Sequence, residues 1–151
     1  ELYGICCEIA NYQVRLSILD RCKEAGLQVV SVYHKKSWIA PSAVIGDGTF
    51  VKAGAVVDTN TQVGAMCIVD NSVTIAHDCL ISDGVHLAPG ASLGGSVNIG
   101  VGTVIGIGVS VATGTAIGKR CIVAPGSSII RDVPDNSIVE GVPGRVVGTR
   151  K

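Results

Sequence analysis

Residues 73–93 read VTIAHDCLISDGVHLAPGASL. Within them Ile75, Ile81, Leu87 and Leu93 stand six apart. Stepping outward by six in both directions meets only Ile, Val or Leu, from Ile39 to Ile129, at sixteen positions out of sixteen. Four residues after each comes a small or slim side chain, among them Ala43, Thr61, Cys67, Cys79, Ala91, Thr103, Cys121 and Ser127. A helix repeats near 3.6 residues and a half-buried strand alternates by two, so neither generates a period of six. Self-similarity at a short fixed period marks a solenoid, here a hexapeptide-repeat solenoid of parallel strands, and hence an all-β class.

Composition narrows the function. The chain has 151 residues, twelve basic and twelve acidic, for a formal net charge of zero. No global field recruits nucleic acid or an anionic membrane. Aromatic residues make up 3%, too few for a base-stacking surface. No apolar run approaches the ~18 residues of a membrane helix, so no membrane insertion is expected. Of six cysteines, Cys67, Cys79 and Cys121 sit in the small slot of the repeat, where Cys acts as a compact hydrophobe. None forms a C-x-x-C pair, which points to a reducing, cytoplasmic compartment.

Residues 1–38 lie outside the repeat. Leu2 to Ile9 is an apolar run of strand length. Asn11 is a helix N-cap, and Val14, Ile18, Leu19 and Cys22 recur at helical spacing up to a Gly26 cap. Leu27 to Tyr33 is a second strand-like run. Such a strand–helix–strand piece cannot bury both its faces alone, so it reads as the C-terminal remnant of an α/β (βαβ) domain whose remainder lies upstream. Residues 39–130 form the solenoid. After Ile129 the phase fails, and residues 131–151 are a turn-rich tail with one more strand near Ser137–Glu140.

The stretch Thr74–Ile81 with its His77–Asp78 pair, then Val85–Ala91 with His86, resembles bacterial nucleotide-sugar acetyltransferases of the left-handed β-helix superfamily. Within these it is similar to the bacillosamine-pathway and perosamine N-acetyltransferases and the sialic acid O-acetyltransferases. The ending Asp132–Asp135 and Gly141–Arg145 is similar to that group's closing motif. The resemblance implies a left-handed parallel β-helix of about five coils, three hexapeptides to each triangular coil, with rungs ~4.8 Å apart. Handedness comes from the resemblance, because a period carries none. It also implies that residues 1–38 come from a nucleotide-sugar-binding domain.

The same resemblance implies a site. His77 is the general base that takes a proton from a sugar amine as it attacks the thioester of acetyl-CoA, and Asp78 orients it. That pairing requires a corner, since strand neighbours point to opposite faces. In a three-sided coil, residues eighteen apart stack. Gly95 then lies one rung from His77, leaving room for the imidazole and offering an N–H as oxyanion donor. His86 stands in the stripe Phe50, Ile68, His86, Val104, Ile122 as its only polar member, and serves either substrate or acetyl-CoA contact or subunit packing. Pro125, Gly126, Gly141, Pro143 and Arg145 are candidates to hold acetyl-CoA, with Arg145 and Lys119 or Arg120 at its phosphates. Ala is commoner in the family where Gly144 stands, which implies a looser loop. The family assembles as trimers with sites between chains, which would bring His86 of one copy to His77 of the next.

Other readings stay open. An O-acetyltransferase on a sugar hydroxyl, or an acyl-carrier-dependent acyltransferase, would use the same histidine. A zinc enzyme on this fold needs three converging histidines, whereas His34 precedes the coils, so no metal is expected. A non-catalytic β-solenoid of the ice-binding kind would carry continuous Thr ladders, which this chain lacks.

Overall fold

The computed structural model describes residues 3–4 and 8–150. From Val32 to Val139 the chain winds as a parallel β-solenoid of about six turns, matching the left-handed β-helix. Strands are two residues long and recur every six. Each pairs with the strand eighteen residues on, as in Thr74↔Ser92 and Leu80↔Asn98. Three sheets result, of eight, six and five strands. They are called here the His86, Ser92 and Leu80 faces, after a strand in each. The chain passes from the His86 face through a corner at 70–73 to the Ser92 face, through 76–79 to the Leu80 face, and through 82–85 back again.

The six-residue aliphatics fill the prism. Val51, Val57, Val69, Leu87 and Ile105 are each 0% exposed, and the core runs without a break to Val139. Burying each such side chain contributes about 1.5–3 kcal/mol, which is why the period tolerates no polar residue. The slim slot does more than save space. Thr61 Oγ1 donates to Ala76 O at 2.7 Å and accepts from Cys79 N at 3.1 Å. Cys79 Sγ in turn donates to Gly94 O at 3.2 Å. Thr and Cys therefore satisfy corner backbone that the core has cut off from water. Burial holds these thiols protonated, most strongly Cys67, whose pKa is pushed up to about 12.

Coil pairing starts upstream of Ile39. Val32–Tyr33 joins the His86 face beside Phe50–Val51, with Val32 N donating to Thr49 O at 3.0 Å. Tyr33 takes the place of an aliphatic residue, and 49% of it is exposed because no full layer lies beneath. At the far end the phase slip is a short coil. Ile122 pairs with Ile138 and Val123 with Val139, an offset of sixteen instead of eighteen, and Val133 fills the interior beside Ile117. The strand Ser137–Glu140 then turns back on Arg145–Thr149.

The run Leu27–Tyr33 is two separate strands, because Gln28–Val29 pairs with Tyr3–Gly4 while Val32–Tyr33 joins the solenoid. Much of Leu2–Ile9 lies outside the described residues. Helix α1, Tyr12–Glu24, starts where expected: Asn11 Oδ1 accepts from Gln13 N at 2.9 Å. Its buried side is only partly the expected one, with Leu19 buried and Ile18 and Cys22 half-buried, but Val14 gives way to Arg15. Val14 is 41% exposed, whereas Arg15 is 1% and Leu19 5% exposed. The Arg15 guanidinium reaches the 82–85 corner and donates to Met66 O at 2.9 Å and Gly84 O at 2.6 Å, with further bonds to Ile9 O and Ala10 O. A cation that satisfies four carbonyls outweighs one aliphatic side chain in choosing how the helix faces inward. Tyr12 packs onto Gly84 and Gly102, where an added Cβ would come within 3.1 Å and 2.6 Å of it.

Candidate active site

The 76–79 corner sets the geometry of His77 and Asp78. Asp78 has φ +58°, in the left-handed region that favours glycine. This turn breaks strand alternation and swings both side chains to one side. His77 Nδ1 lies 2.8 Å from Asp78 Oδ2. The Asp78 carboxyl is held below its ordinary range by the His77 hydrogen bond, then by Asn60. Asn60 Nδ2 donates to Asp78 Oδ1 at 3.3 Å, eighteen residues below. Sequence reasoning missed Asn60, although the same column arithmetic that located Gly95 points to it. With Nδ1–H directed at the carboxylate, Nε2 carries the free lone pair.

Gly95 is buried beneath the ring. A Cβ there would lie 2.7 Å from both Cε1 and Nε2 of His77, so only glycine lets the imidazole settle on this rung. The corner is braced by Ser96 N donating to His77 O at 2.9 Å and Asp78 N donating to Thr59 O at 3.0 Å. His77 and Asp78 remain about half exposed, at 56% and 51% of their side chains. That exposure leaves the ring open to an incoming molecule.

His86 is in a different setting. It faces outward from its strand, yet only 24% of its side chain is exposed. Its stripe is half-buried within a single chain, with Ile68 only 3% exposed. Asp70 at the neighbouring corner lies 3.6 Å from His86 Nε2, and Lys52 lies 3.2 Å from the same carboxylate. His34, by contrast, is exposed at the first turn and accepts from Lys36 N at 3.1 Å.

The residues expected to hold the acyl donor gather at the last coil. Ser128 N donates to Gly141 O at 3.0 Å, and Gly144 N donates to Ser128 O at 2.8 Å, which lays the 141–144 loop against Ser128, just past the Pro125–Gly126 corner. Gly144 sits in this loop against the Ile129 side chain. A Cβ there would lie 2.7 Å from Ile129 Cδ1, so the loop is seated too closely for alanine without a shift. Arg145 is exposed and bonds only locally, to Gly144 O at 3.1 Å. Arg120 lines a separate small polar cavity with Tyr12, Gln13, Asn136 and Arg150. A groove of about 590 Å³ opens on the Leu80 face between Leu80, Asn98, Ala116 and Pro134. Its lining does not include His77.

Among the described residues no three His, Cys, Asp or Glu side chains gather to hold a metal ion. Nor is any described helix long and apolar enough to cross a membrane.

No protein-family model and no curated protein matches this chain. Solved structures do. The acetyltransferase domain of PglB from Neisseria gonorrhoeae is 32% identical with a TM-score of 0.93, over 95% of this chain and 70% of that one. The chain belongs to the hexapeptide-repeat sugar acetyltransferases. Two further members of the family are similar. PerB from Caulobacter crescentus, solved with CoA and GDP-perosamine, is 28% identical with a TM-score of 0.94, over 97% of this chain and 70% of that one. WeeI from Acinetobacter baumannii is 28% identical with a TM-score of 0.89, over 94% and 69%. Family membership makes the chain an acyltransferase.

Proposed function

We propose that this chain transfers acetyl from acetyl-CoA to an amino group of a nucleotide-linked amino sugar, with His77 as general base. The observation that carries this is the His77–Asp78 pair, 2.8 Å apart, seated over Gly95 on a sugar-acetyltransferase solenoid. The neighbours agree in substrate class: the PglB domain is solved with acetyl coenzyme A, and a histidine variant of the perosamine N-acetyltransferase with CoA and GDP-perosamine.

In this reading Nε2 of His77 takes the proton of the attacking amine. Asp78 stabilises the imidazolium that forms, while Asn60 steadies Asp78. The Gly95 N–H faces the developing oxyanion. Collapse of the tetrahedral intermediate expels the CoA thiolate, which takes up the proton. The arm of acetyl-CoA runs toward Pro125, Gly126, Gly141 and Pro143, and Arg145 meets its phosphates. The reaction belongs in the cytoplasm, in keeping with the free thiols of Cys22, Cys67, Cys79 and Cys121. Thiol release on incubating acetyl-CoA with a panel of nucleotide-linked 4-amino sugars tests the reading. Turnover only with hydroxyl acceptors, or only with long-chain acyl donors, replaces it with O-acetylation or carrier-dependent acylation.

The working form is a homotrimer with the site between copies. His77 projects from a corner with about half of its side chain exposed, which leaves room for a neighbouring copy to wall the site. His86 of a neighbouring copy supplies part of that wall. Mixed trimers of His77→Ala and His86→Ala chains regain activity in this arrangement. Verified mixed trimers that stay inactive rule it out.

A further inference from the structure

Among the described residues, one buried side-chain nitrogen or oxygen has no hydrogen-bond partner: Nε2 of His86. The group it faces is Asp70 Oδ2, at 3.6 Å, longer than a hydrogen bond but within ion-pair reach. Asp70 is fixed where it stands. Its N–H donates to Leu87 O at 3.0 Å, which sets it beside His86. Its Oδ1 accepts from Asn71 N at 2.8 Å and faces Lys52 Nζ at 3.2 Å. Lys52 is shared with Glu8 at 2.6 Å. The second oxygen is left for the imidazole.

The charges settle the proton. Burial alone would raise the Asp70 pKa, yet the Asn71 N–H, Lys52 and His86 together hold it below the ordinary value, so Asp70 is a carboxylate at neutral pH. Burial lowers the pKa of His86, Arg15 and Lys52 add to this, and Asp70 opposes it without reversing the sign. His86 is therefore neutral above its ordinary titration range and carries one N–H. An Nε2 lone pair aimed at a carboxylate is repelled, whereas Nε2–H is attracted.

We propose that Asp70 is a positioning residue that holds His86 as its Nε2–H tautomer, leaving Nδ1 as a hydrogen-bond acceptor for an N–H donor of the bound substrates. This rests on the acetyl-transfer reading above. The tautomer is the reverse of that at His77, where Nδ1 keeps its proton and donates to Asp78. It has a chemical consequence: a bare Nδ1 accepts from an amide N–H of the acyl donor's arm or from the acceptor's amine. It does not polarise the thioester carbonyl, whose oxygen it would repel.

Long-range proton–nitrogen correlation spectra of ¹⁵N-labelled protein at pH 7.5 read the tautomer directly. His34→Gln, His77→Gln and His86→Gln variants assign the three rings. The expected result is a protonated Nε2 and bare Nδ1 at His86, lost in Asp70→Asn and Asp70→Ala and retained in Asp70→Glu, all with wild-type circular dichroism. An Nδ1–H tautomer or an imidazolium in the wild type overturns the assignment, as does an unchanged spectrum in Asp70→Asn. In steady-state assays Asp70→Asn should raise one KM by about tenfold, the worth of one hydrogen bond. A rise for acetyl-CoA identifies the donor arm, and a rise for the sugar identifies the amine. No change in either KM overturns the acceptor role of Nδ1. If no turnover is found with any substrate, the acetyl-transfer reading falls, whereas the spectrum still decides the Asp70–His86 contact.

Discussion

Two imidazoles nine residues apart on the same solenoid meet opposite surroundings. His77 stands on a corner with 56% of its side chain exposed and a carboxylate at Nδ1. His86 stands on a face with 24% exposed and a carboxylate near Nε2. At the corner, a left-handed turn at Asp78 places acid and base side by side in sequence. On the face, acid and base lie one coil apart and meet across the ladder. A corner frees a side chain to reach out and react, whereas a face holds it between rungs, where it can only be read by a partner. The lesson is that one repeat makes two kinds of histidine from where each falls in the six-residue cycle.

The hardest test of that contrast is His77→Ala. Loss of the base should lower kcat for acetyl transfer by about 10²–10⁴, with little change in melting temperature because the ring is exposed. Equal kcat in an intact assembly would place the chemistry elsewhere. Next comes Gly95→Ala. A methyl 2.7 Å from Cε1 and Nε2 must push the imidazole off its rung. Displacement by about 1 Å costs on the order of 10² in rate, so kcat should fall while the fold survives. A Gly95→Ala enzyme with wild-type kcat would show that ring and rung need not touch.

The smallest effect sharpens the contrast from the other side. Burial lowers the pKa of His86, with Arg15 and Lys52 acting in the same sense and Asp70 against it. The unfolded chain then takes up its proton first as pH falls through about 6.5, while the folded chain resists. His86 therefore leaves stability intact above that pH and costs stability below it, until the folded group itself titrates. Melting temperature should drop between pH 7 and pH 5.5, and His86→Gln should remove part of that drop, on the order of a few °C. An identical slope in the variant would mean that folding does not lower the His86 pKa.

Much of the site was open to arithmetic. Once residues eighteen apart are known to stack, His77 falls next to Gly95 and Asp78 next to Asn60, because parallel strands in register repeat their columns strictly. Asp70 and His86 are sixteen apart and share no column, so their contact depends on side-chain reach across a corner. Part of the buried side of α1 was hidden for a related reason. Periodicity ranks Val14 above Arg15 as a core residue, and only the carbonyls of Met66 and Gly84, far off in the chain, make Arg15 the better fit.

By itself the sequence determined the solenoid, its six-residue cycle and the places of the two histidines within that cycle, the family resemblance supplying three hexapeptides to a coil. Each of these is a repeat of local burial, and burial at a fixed interval is written in the order of residues. Only the tertiary structure decided where the coils begin and how the last one shortens, which of Val14 and Arg15 the helix buries, and which nitrogen of each imidazole faces a carboxylate. Those depend on ends and on contacts between coils, where one unsatisfied carbonyl or one stray charge outweighs the pattern.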